Sequence, residues 1–234
     1  FTESLNQGAR GAMFFYFASL ALALPKFGGT LLLCYFLSGV IFMPAWIALS
    51  RRIGKHRALI VSTTLYALLL IVIPLLPRGQ SMLYAAPMFL LGALATGFVV
   101  MVRAITADVG DELRLEGGQD LMALLYAVTS ATTKAGGALA IFVSYWLLGL
   151  VGFSAKPHAV NGVEQIRGLE LVFVIGPIVF VMLGGAAFLG YKLSAERHAQ
   201  IRRELDERDA AFAEEAAVIQ TLTGEPGEVL VTRP

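Results

Sequence analysis

Six long apolar stretches constrain this sequence more than any other feature. They cover residues 2–25, 28–49, 58–76, 81–105, 119–151 and 169–191. A helix needs about 20 mostly apolar residues to cross about 30 Å of hydrocarbon, and each stretch reaches or approaches that length. The first is the weakest, because only Gly11 to Leu24 is cleanly apolar. The pattern predicts an all-α membrane protein with six transmembrane helices.

The composition agrees with a membrane protein and argues against other classes. Hydrophobic residues make up 57% of the 234 residues and charged residues 15%, against roughly 25% charged residues in an ordinary soluble domain. A net charge of +1 without a basic, aromatic-interleaved strip gives no sign of a nucleic-acid partner. Cys34 is alone, so an intramolecular disulfide is excluded. No nucleophile–base pair and no histidine spacing typical of a metal site stands out, so we predict neither an enzyme nor a metal site.

The positive charges of the short loops predict the orientation. The segment 50–57 carries four lysines and arginines, whereas 77–80 carries only Arg78. Short loops rich in Lys and Arg stay in the cytoplasm. We therefore expect 50–57 and both chain ends on the cytoplasmic side of the plasma membrane, the inner membrane in a bacterium, with 77–80 outside. Residues 1–192 are the predicted transmembrane domain.

The segment 193–234 is predicted to be a cytoplasmic charged helix followed by a flexible tail. Ser194 can cap a helix over Glu196–Arg208. Three residues, Ile201, Leu205 and Phe212, give this helix a thin apolar stripe. We expect a solvated helix; docking on the membrane surface or on a loop is the alternative. Residues 221–234 are the expected flexible tail.

Proline and glycine interrupt four of the predicted spans, at Pro44, Pro74, Pro87 and Gly176-Pro177. In lipid such breaks persist only where neighbouring helices or cavity water satisfy the freed backbone groups. Close packing of small residues accounts for any one of them. Together they indicate helices that bend or rock, as transporters require.

One face of the fifth stretch is polar. Its residues recur at helical spacing and are Tyr126, Thr129, Ser130, Thr133, Lys134 and Gly137. Lys134 lies about 20 Å along the helix at 1.5 Å per residue. A lone ammonium ion near mid-membrane costs at least about 2.5–3.5 kcal/mol. We therefore expect Lys134 to face a wet cavity or a carboxylate; a lysine paired only for structure is the alternative.

A second stripe on the same stretch is small at every fourth residue and predicts a helix-packing seam, with Thr132, Gly136, Ala140 and Ser144. The carboxylates of the chain lie at helix ends, in loops and in the tail. A partner for Lys134 must therefore come from another polypeptide segment. The chain also starts at Phe1 without a signal-peptide pattern. We expect the chain to be truncated and to form one half of something larger.

Three groups of residues carry a resemblance to a known family. The first group is Tyr35–Leu37, Pro44–Trp46 and Leu49–Arg57. The second is Ala107–Glu112 with Arg114, Glu116 and Gly117, and the third is Thr133–Ala140. They resemble helix eight with its following loop, the acidic loop between helices ten and eleven, and the lysine-bearing helix eleven. The family is the glycoside–pentoside–hexuronide:cation symporters, relatives of melibiose permease within the major facilitator superfamily, and the resemblance covers residues 1 to about 192.

The resemblance implies the C-terminal six-helix half of a twelve-helix symporter. Its implied function is sugar or glycoside transport with H⁺ or Na⁺ by alternating access, without another cofactor. The N-terminal half is the implied partner and supplies the acidic cation ligands, to which Lys134 is close. Alternatives are a lysolipid or other organic-solute symporter of the same superfamily, or a non-transporting six-span interaction protein.

The resemblance also implies a cytoplasmic gate made of Arg51, Arg52, Gly54, Lys55, Asp108, Asp111, Arg114 and Glu116. Two departures from the family pattern put a standard gate geometry in doubt. The family usually has an acidic residue three positions before the glycine that corresponds to Gly54, where this chain has Arg51. It usually has an aromatic residue at the position of Glu112. We expect the acidic segment to be solvated or paired with loop arginines across the interface of the halves; a cation site is the alternative.

A polar patch in the first stretch has two interpretations. It consists of Asn6, Gln7 and Arg10. Asn6 and Arg10 can line the solute cavity, or Arg10 can snorkel to the cytoplasmic surface.

Overall fold

The computed structural model describes residues 1–156, 159–190 and 195–223, and within them it contains helices, turns and no strand. Seven α-helices follow one another in these described ranges: α1 (Thr2–Tyr16), α2 (Gly28–Ile53), α3 (Lys55–Val72), α4 (Ser81–Gly117), α5 (Met122–Leu150), α6 (Val163–Ala187) and α7 (Ala195–Thr223). A π-helical turn over Phe17–Ala21 continues α1, and a 3₁₀ turn over Ile73–Leu75 follows α3. The all-α prediction is confirmed.

Five helices of the described residues, α2 to α6, are long and apolar enough to cross a membrane. They correspond to the last five predicted spans. The first predicted span contains α1 and its π-helical turn. This span is not among the five helices that are long and apolar enough to cross a membrane. α1 is only 15 residues long, and Glu3, Asn6 and Arg10 make it far less apolar than α2 to α6. A sixth span therefore stays a prediction.

The loop expected at 50–57 is nearly all helix. α2 runs through Arg51 and Arg52 to Ile53, and α3 begins at Lys55. Gly54 alone separates them, at φ +90°, a backbone conformation that residues with a Cβ rarely adopt. Arginine and lysine are good helix formers, so the charges that indicated a loop do not prevent helix there.

Three of the four prolines in the predicted spans do not break a helix, whereas α3 ends at Val72, just before the 3₁₀ turn that contains Pro74. Pro44, Pro87 and Pro177 lie inside α2, α4 and α6, and Pro74 lies in the 3₁₀ turn. The helix of the fourth predicted span extends beyond residue 105, because α4 continues to Gly117 through the acidic segment. Where α4 leaves the membrane stays a prediction.

The chain divides into two compact units. The first comprises Phe1–Val102 and Thr129–Tyr191, and the second Arg103–Val128 and Lys192–Pro234. The described part of the tail, α7, therefore groups with the last turns of α4 and the start of α5. A domain boundary at residue 192 stays a prediction, and the predicted cap Ser194 and residues 224–234 lie outside the described residues.

In the first unit, α1 is central and packs mainly on α6. The rings of Phe17 and Phe173 stack with centroids 4.0 Å apart, and both are fully buried. Large apolar side chains such as Leu33, Phe36 and Phe142 remain exposed on the outer helix faces. So much exposed apolar surface is typical of a protein whose surroundings are lipid.

The predicted small-residue seam is confirmed at Gly136, Ala140 and Ser144, whereas Thr132 is only half-buried. The buried residues of α5 are Gly136, Ala140, Ser144 and Leu148. A Cβ atom on Gly136 would lie only 2.9 Å from the Cβ of Ser4 in α1. Helices approach this closely only where small residues allow the backbones to come together.

Candidate functional site

The polar face of α5 lies beside the seam, and all of its members except Tyr126 belong to the first unit. Five of its members are exposed and Gly137 is half-buried. The Thr133 hydroxyl donates to the carbonyl oxygen of Thr129 at 2.8 Å, which leaves its lone pairs for another partner. Gly137 also touches the seam, because its carbonyl oxygen would lie 3.0 Å from a Cβ atom on Gly8.

Lys134 is exposed near the middle of α5. It lies about 18 Å from Met122 along the helix at 1.5 Å per residue, and helix geometry places it almost opposite buried Gly136. None of the ion pairs in the described residues involves its ammonium group. Lys134 is therefore not paired for structure with another group of the described residues.

Arg10 lies in an aromatic enclosure inside the first unit. Its guanidinium carbon is 5.1 Å from the Tyr35 ring centroid, 5.5 Å from that of Tyr66 and 5.6 Å from that of Phe173. The negative faces of aromatic rings attract a cation in this geometry. These rings come from α2, α3 and α6, so Arg10 holds α1 against three helices at once.

Hydrogen bonds extend this enclosure along α1. Arg10 donates to the Tyr66 hydroxyl, and that hydroxyl donates to the Asn6 side-chain oxygen at 3.4 Å. Asn6 donates in turn to Glu3 at 3.4 Å, and Gln7 donates to Glu3 at 2.8 Å. The network gives every member a polar partner, although the Arg10 Nε atom has none in the described residues.

The snorkelling interpretation of Arg10 is wrong. The residue is only 7% exposed and Asn6 2%, because the aromatic enclosure stabilises the cation in the interior. A cavity-lining role of the pair stays a prediction.

The predicted gate residues fall into two places in the chain. Arg51 and Arg52 are exposed at the end of α2, while Gly54 and Lys55 are half-buried at the joint with α3. Asp108, Asp111, Arg114 and Glu116 follow one another on the last turns of α4, where only Glu116 is exposed. Their joint action as a gate stays a prediction.

The acidic segment of α4 is paired with α7. The Nε2 atom of His198 is 3.2 Å from Asp108 and 3.1 Å from Asp111. Arg202 lies 3.5 Å from Asp111. Farther along both helices, the Arg114 guanidinium is 3.0 Å from the Asp209 carboxylate.

These contacts correct two expectations. Asp108 and Asp111 are paired with α7 rather than solvated, and α7 docks through one face rather than being solvated all round. Pairing of the acidic segment with loop arginines across the interface of the halves stays a prediction. Ile201 and Leu205 of α7 are fully buried, whereas Phe212 is exposed. His198, Ile201, Arg202, Leu205 and Asp209 recur at helical spacing, so the sequence did contain the signal of one docking face.

Comparison with known proteins decides the class. Residues 1–195 match the model of the family described as MFS/sugar transport protein. The chain belongs to this family. A curated relative is the sodium-dependent lysophosphatidylcholine symporter 1-B of Danio rerio, 24% identical over 179 residues. The match covers 76% of this chain and 34% of that relative, so the chain spans about a third of the relative's length.

Membership confirms the resemblance to major facilitator symporters. The chain is an integral membrane protein of a transporter family, and this membership points to a transporter rather than an enzyme. The family implies a small-molecule solute. The roles assigned above to Lys134, to the polar face of α5 and to the gate residues remain predictions.

Proposed function

We propose that this chain forms one half of a cation-coupled symporter that carries a sugar or glycoside by alternating access, with the polar face of α5 along the solute pathway. The observation that carries this proposal is the exposed, unpaired Lys134 near the middle of an apolar helix. A charge at that depth is costly in lipid and is tolerated where it faces water or an opposite charge.

A second helical half is the partner that such a face requires. In our proposal it provides a carboxylate opposite Lys134, and both groups border a water-filled cavity between the halves. The hydroxyl groups of Thr129, Ser130 and Thr133 stand on the same face, and hydroxyl groups both donate to and accept from sugar hydroxyls.

Coupling follows from competition for that carboxylate. When the coupling ion, H⁺ or Na⁺, binds the carboxylate, Lys134 loses its counter-charge and becomes available to the solute. When the ion leaves, the pair re-forms. The two states differ in free energy by the strength of this pair, which is the differential interaction that a conformational switch requires.

A second candidate solute is a lysophospholipid. The relative from Danio rerio is a lysophosphatidylcholine symporter by name. An ammonium group binds phosphate as a point charge, so Lys134 can serve a phosphate headgroup as well as a carboxylate. The same face and the same coupling step are used in both cases.

Uptake into proteoliposomes distinguishes these possibilities. The full-length protein is reconstituted, a Na⁺ or H⁺ gradient is imposed, and accumulation of labelled glycosides and of lysophosphatidylcholine is measured. Gradient-dependent accumulation of a glycoside supports the first proposal, and accumulation of the lysolipid alone supports the second. Folded protein that accumulates neither class under either gradient contradicts symport and favours a non-transporting membrane protein.

A further inference from the structure

An open apolar groove lies between α2, α3 and α4 of the first unit, with a volume of about 590 Å³. Its floor includes Trp46, whose indole N–H donates to the carbonyl oxygen of Ala93 at 2.7 Å. That bond satisfies the only polar atom of the indole, so the ring presents apolar surface to the groove. The groove is distinct from the polar face of α5, which contributes no residue to it.

The α3 wall of the groove is a continuous stripe of exposed side chains, Val61, Leu65, Leu68 and Val72. Their spacing of four, three and four residues keeps them on one helix face. Extending the stripe by four residues toward the helix start reaches Arg57, which is also exposed. The same helix face therefore offers an apolar wall with a guanidinium group at its end.

The α2 wall repeats this arrangement. Phe42, Ala45 and Leu49 line the groove at spacings of three and four. The next position of that stripe is Arg52, which is exposed. Because only Gly54 separates α2 from α3, Arg52 and Arg57 both stand at the end of the groove next to Gly54.

Arg52 and Arg57 have no acidic partner among the described residues. Two arginines without counter-charges at the end of an apolar groove on a membrane helix pair are suited to bind an anion with an apolar extension. Guanidinium groups bind phosphate through paired hydrogen bonds, and basic pockets between transmembrane helices bind anionic lipid headgroups.

We propose that this groove is a binding site for an anionic phospholipid of the surrounding bilayer. Arg52 and Arg57 hold the headgroup phosphate, and one acyl chain lies along the groove over Trp46. The site is independent of the transported solute, since it uses another helix face and remains if the proposed solute is wrong.

Photocrosslinking tests this site directly. The full-length protein is placed in phosphatidylcholine nanodiscs with a small fraction of phosphatidylglycerol that carries a photoreactive group on one acyl chain. Crosslinked peptides are located by mass spectrometry. We expect crosslinks in α2 and α3, and about a fivefold lower yield for each of Arg52→Gln and Arg57→Gln, as expected when one basic residue near an anionic lipid surface is lost.

Two matched variants separate the site from general attraction to anionic lipid. Lys156→Gln combined with Arg167→Gln removes two positive charges elsewhere and should leave the α2 and α3 crosslinks unchanged. Leu65→Trp fills the groove, keeps both arginines and should lower the yield. The proposal is overturned if the yield is insensitive to Arg52 and Arg57, if Leu65→Trp has no effect, or if a phosphatidylcholine probe with the same photoreactive chain crosslinks equally well.

Discussion

Gly8 of α1 lies so close to Ala140 of α5 that a Cβ atom on Gly8 would stand 2.7 Å from the Ala140 Cβ. Side chains do not tolerate such an approach, so the two helices pack almost backbone to backbone. The contact fixes which side of α5 is buried. Lys134 is left exposed because the seam, and not the polar face, is the side of α5 that α1 covers.

This packing predicts opposite outcomes for two glycines of α1. Gly8→Ala forces an overpacked contact that costs about 1–3 kcal/mol. Gly11→Ala meets no atom within 4 Å and gains the helix propensity of alanine, up to about 1 kcal/mol. Thermal unfolding in detergent micelles should show a lower midpoint for Gly8→Ala and an unchanged or higher one for Gly11→Ala. Equal midpoints would contradict the seam.

The Arg10 enclosure predicts a stability cost for Tyr66→Phe. The variant keeps the ring but removes the hydroxyl that accepts from Arg10. A lost hydrogen bond to a buried charged group costs about 1.5–3 kcal/mol. Tyr145→Phe is the matched control, since the hydroxyl of the exposed Tyr145 has neutral partners, the Ala12 carbonyl oxygen at 3.5 Å and Tyr16. If both variants unfold at the parent midpoint, the buried network does not stabilise the fold.

The docking of α7 predicts faster hydrogen exchange after Asp111→Asn. Asp111 contacts both His198 and Arg202, and removing its charge weakens both contacts. We expect amide exchange over Ala195–Asp209 to rise about tenfold, the consequence of losing one or two charge-assisted hydrogen bonds. Asp206→Asn is the control, because Asp206 pairs with Arg202 within α7 and is largely exposed. An exchange rate in Asp111→Asn no faster than in the control would show that α7 is held by other contacts.

The helices were predictable from the sequence where apolar length alone decides, as it does for α2 to α6. The seam was also predictable, because Gly136, Ala140 and Ser144 repeat at a local period. The joint at Gly54 was not predictable from the sequence. A cluster of charges is typical of a loop, but arginine and lysine are also good helix formers.

The surroundings of Arg10 depend on contacts that no local pattern encodes. Tyr35, Tyr66 and Phe173 lie on three other helices, and only the packing of α1 brings them together. The pairing of Asp108 and Asp111 with His198 likewise joins segments far apart in sequence. The docking face of α7 was visible as a periodic stripe, but nothing in that stripe identifies its partner.

The loop charges predict the orientation, which labelling can test. In a Cys34→Ala background, single cysteines are placed at His56 and at Gln80. Gln80 is chosen instead of its neighbour Gly79, because the φ of +83° at Gly79 would strain a cysteine. A membrane-impermeant maleimide added to intact cells should label position 80 and not position 56. Labelling of position 56 alone would reverse the orientation.

The role of Lys134 is tested most directly by ion-driven uptake in Lys134→Met, with the full-length protein in proteoliposomes. Methionine is similar in length and apolar, so the variant keeps the packing and removes the charge. If Lys134 pairs with a carboxylate to couple ion and solute, breaking the pair costs several kcal/mol and should lower concentrative uptake roughly a hundredfold or more. Lys26→Met, an exposed lysine outside the spans, should transport at the parent rate. Accumulation by Lys134→Met at close to the parent rate would contradict the coupling role.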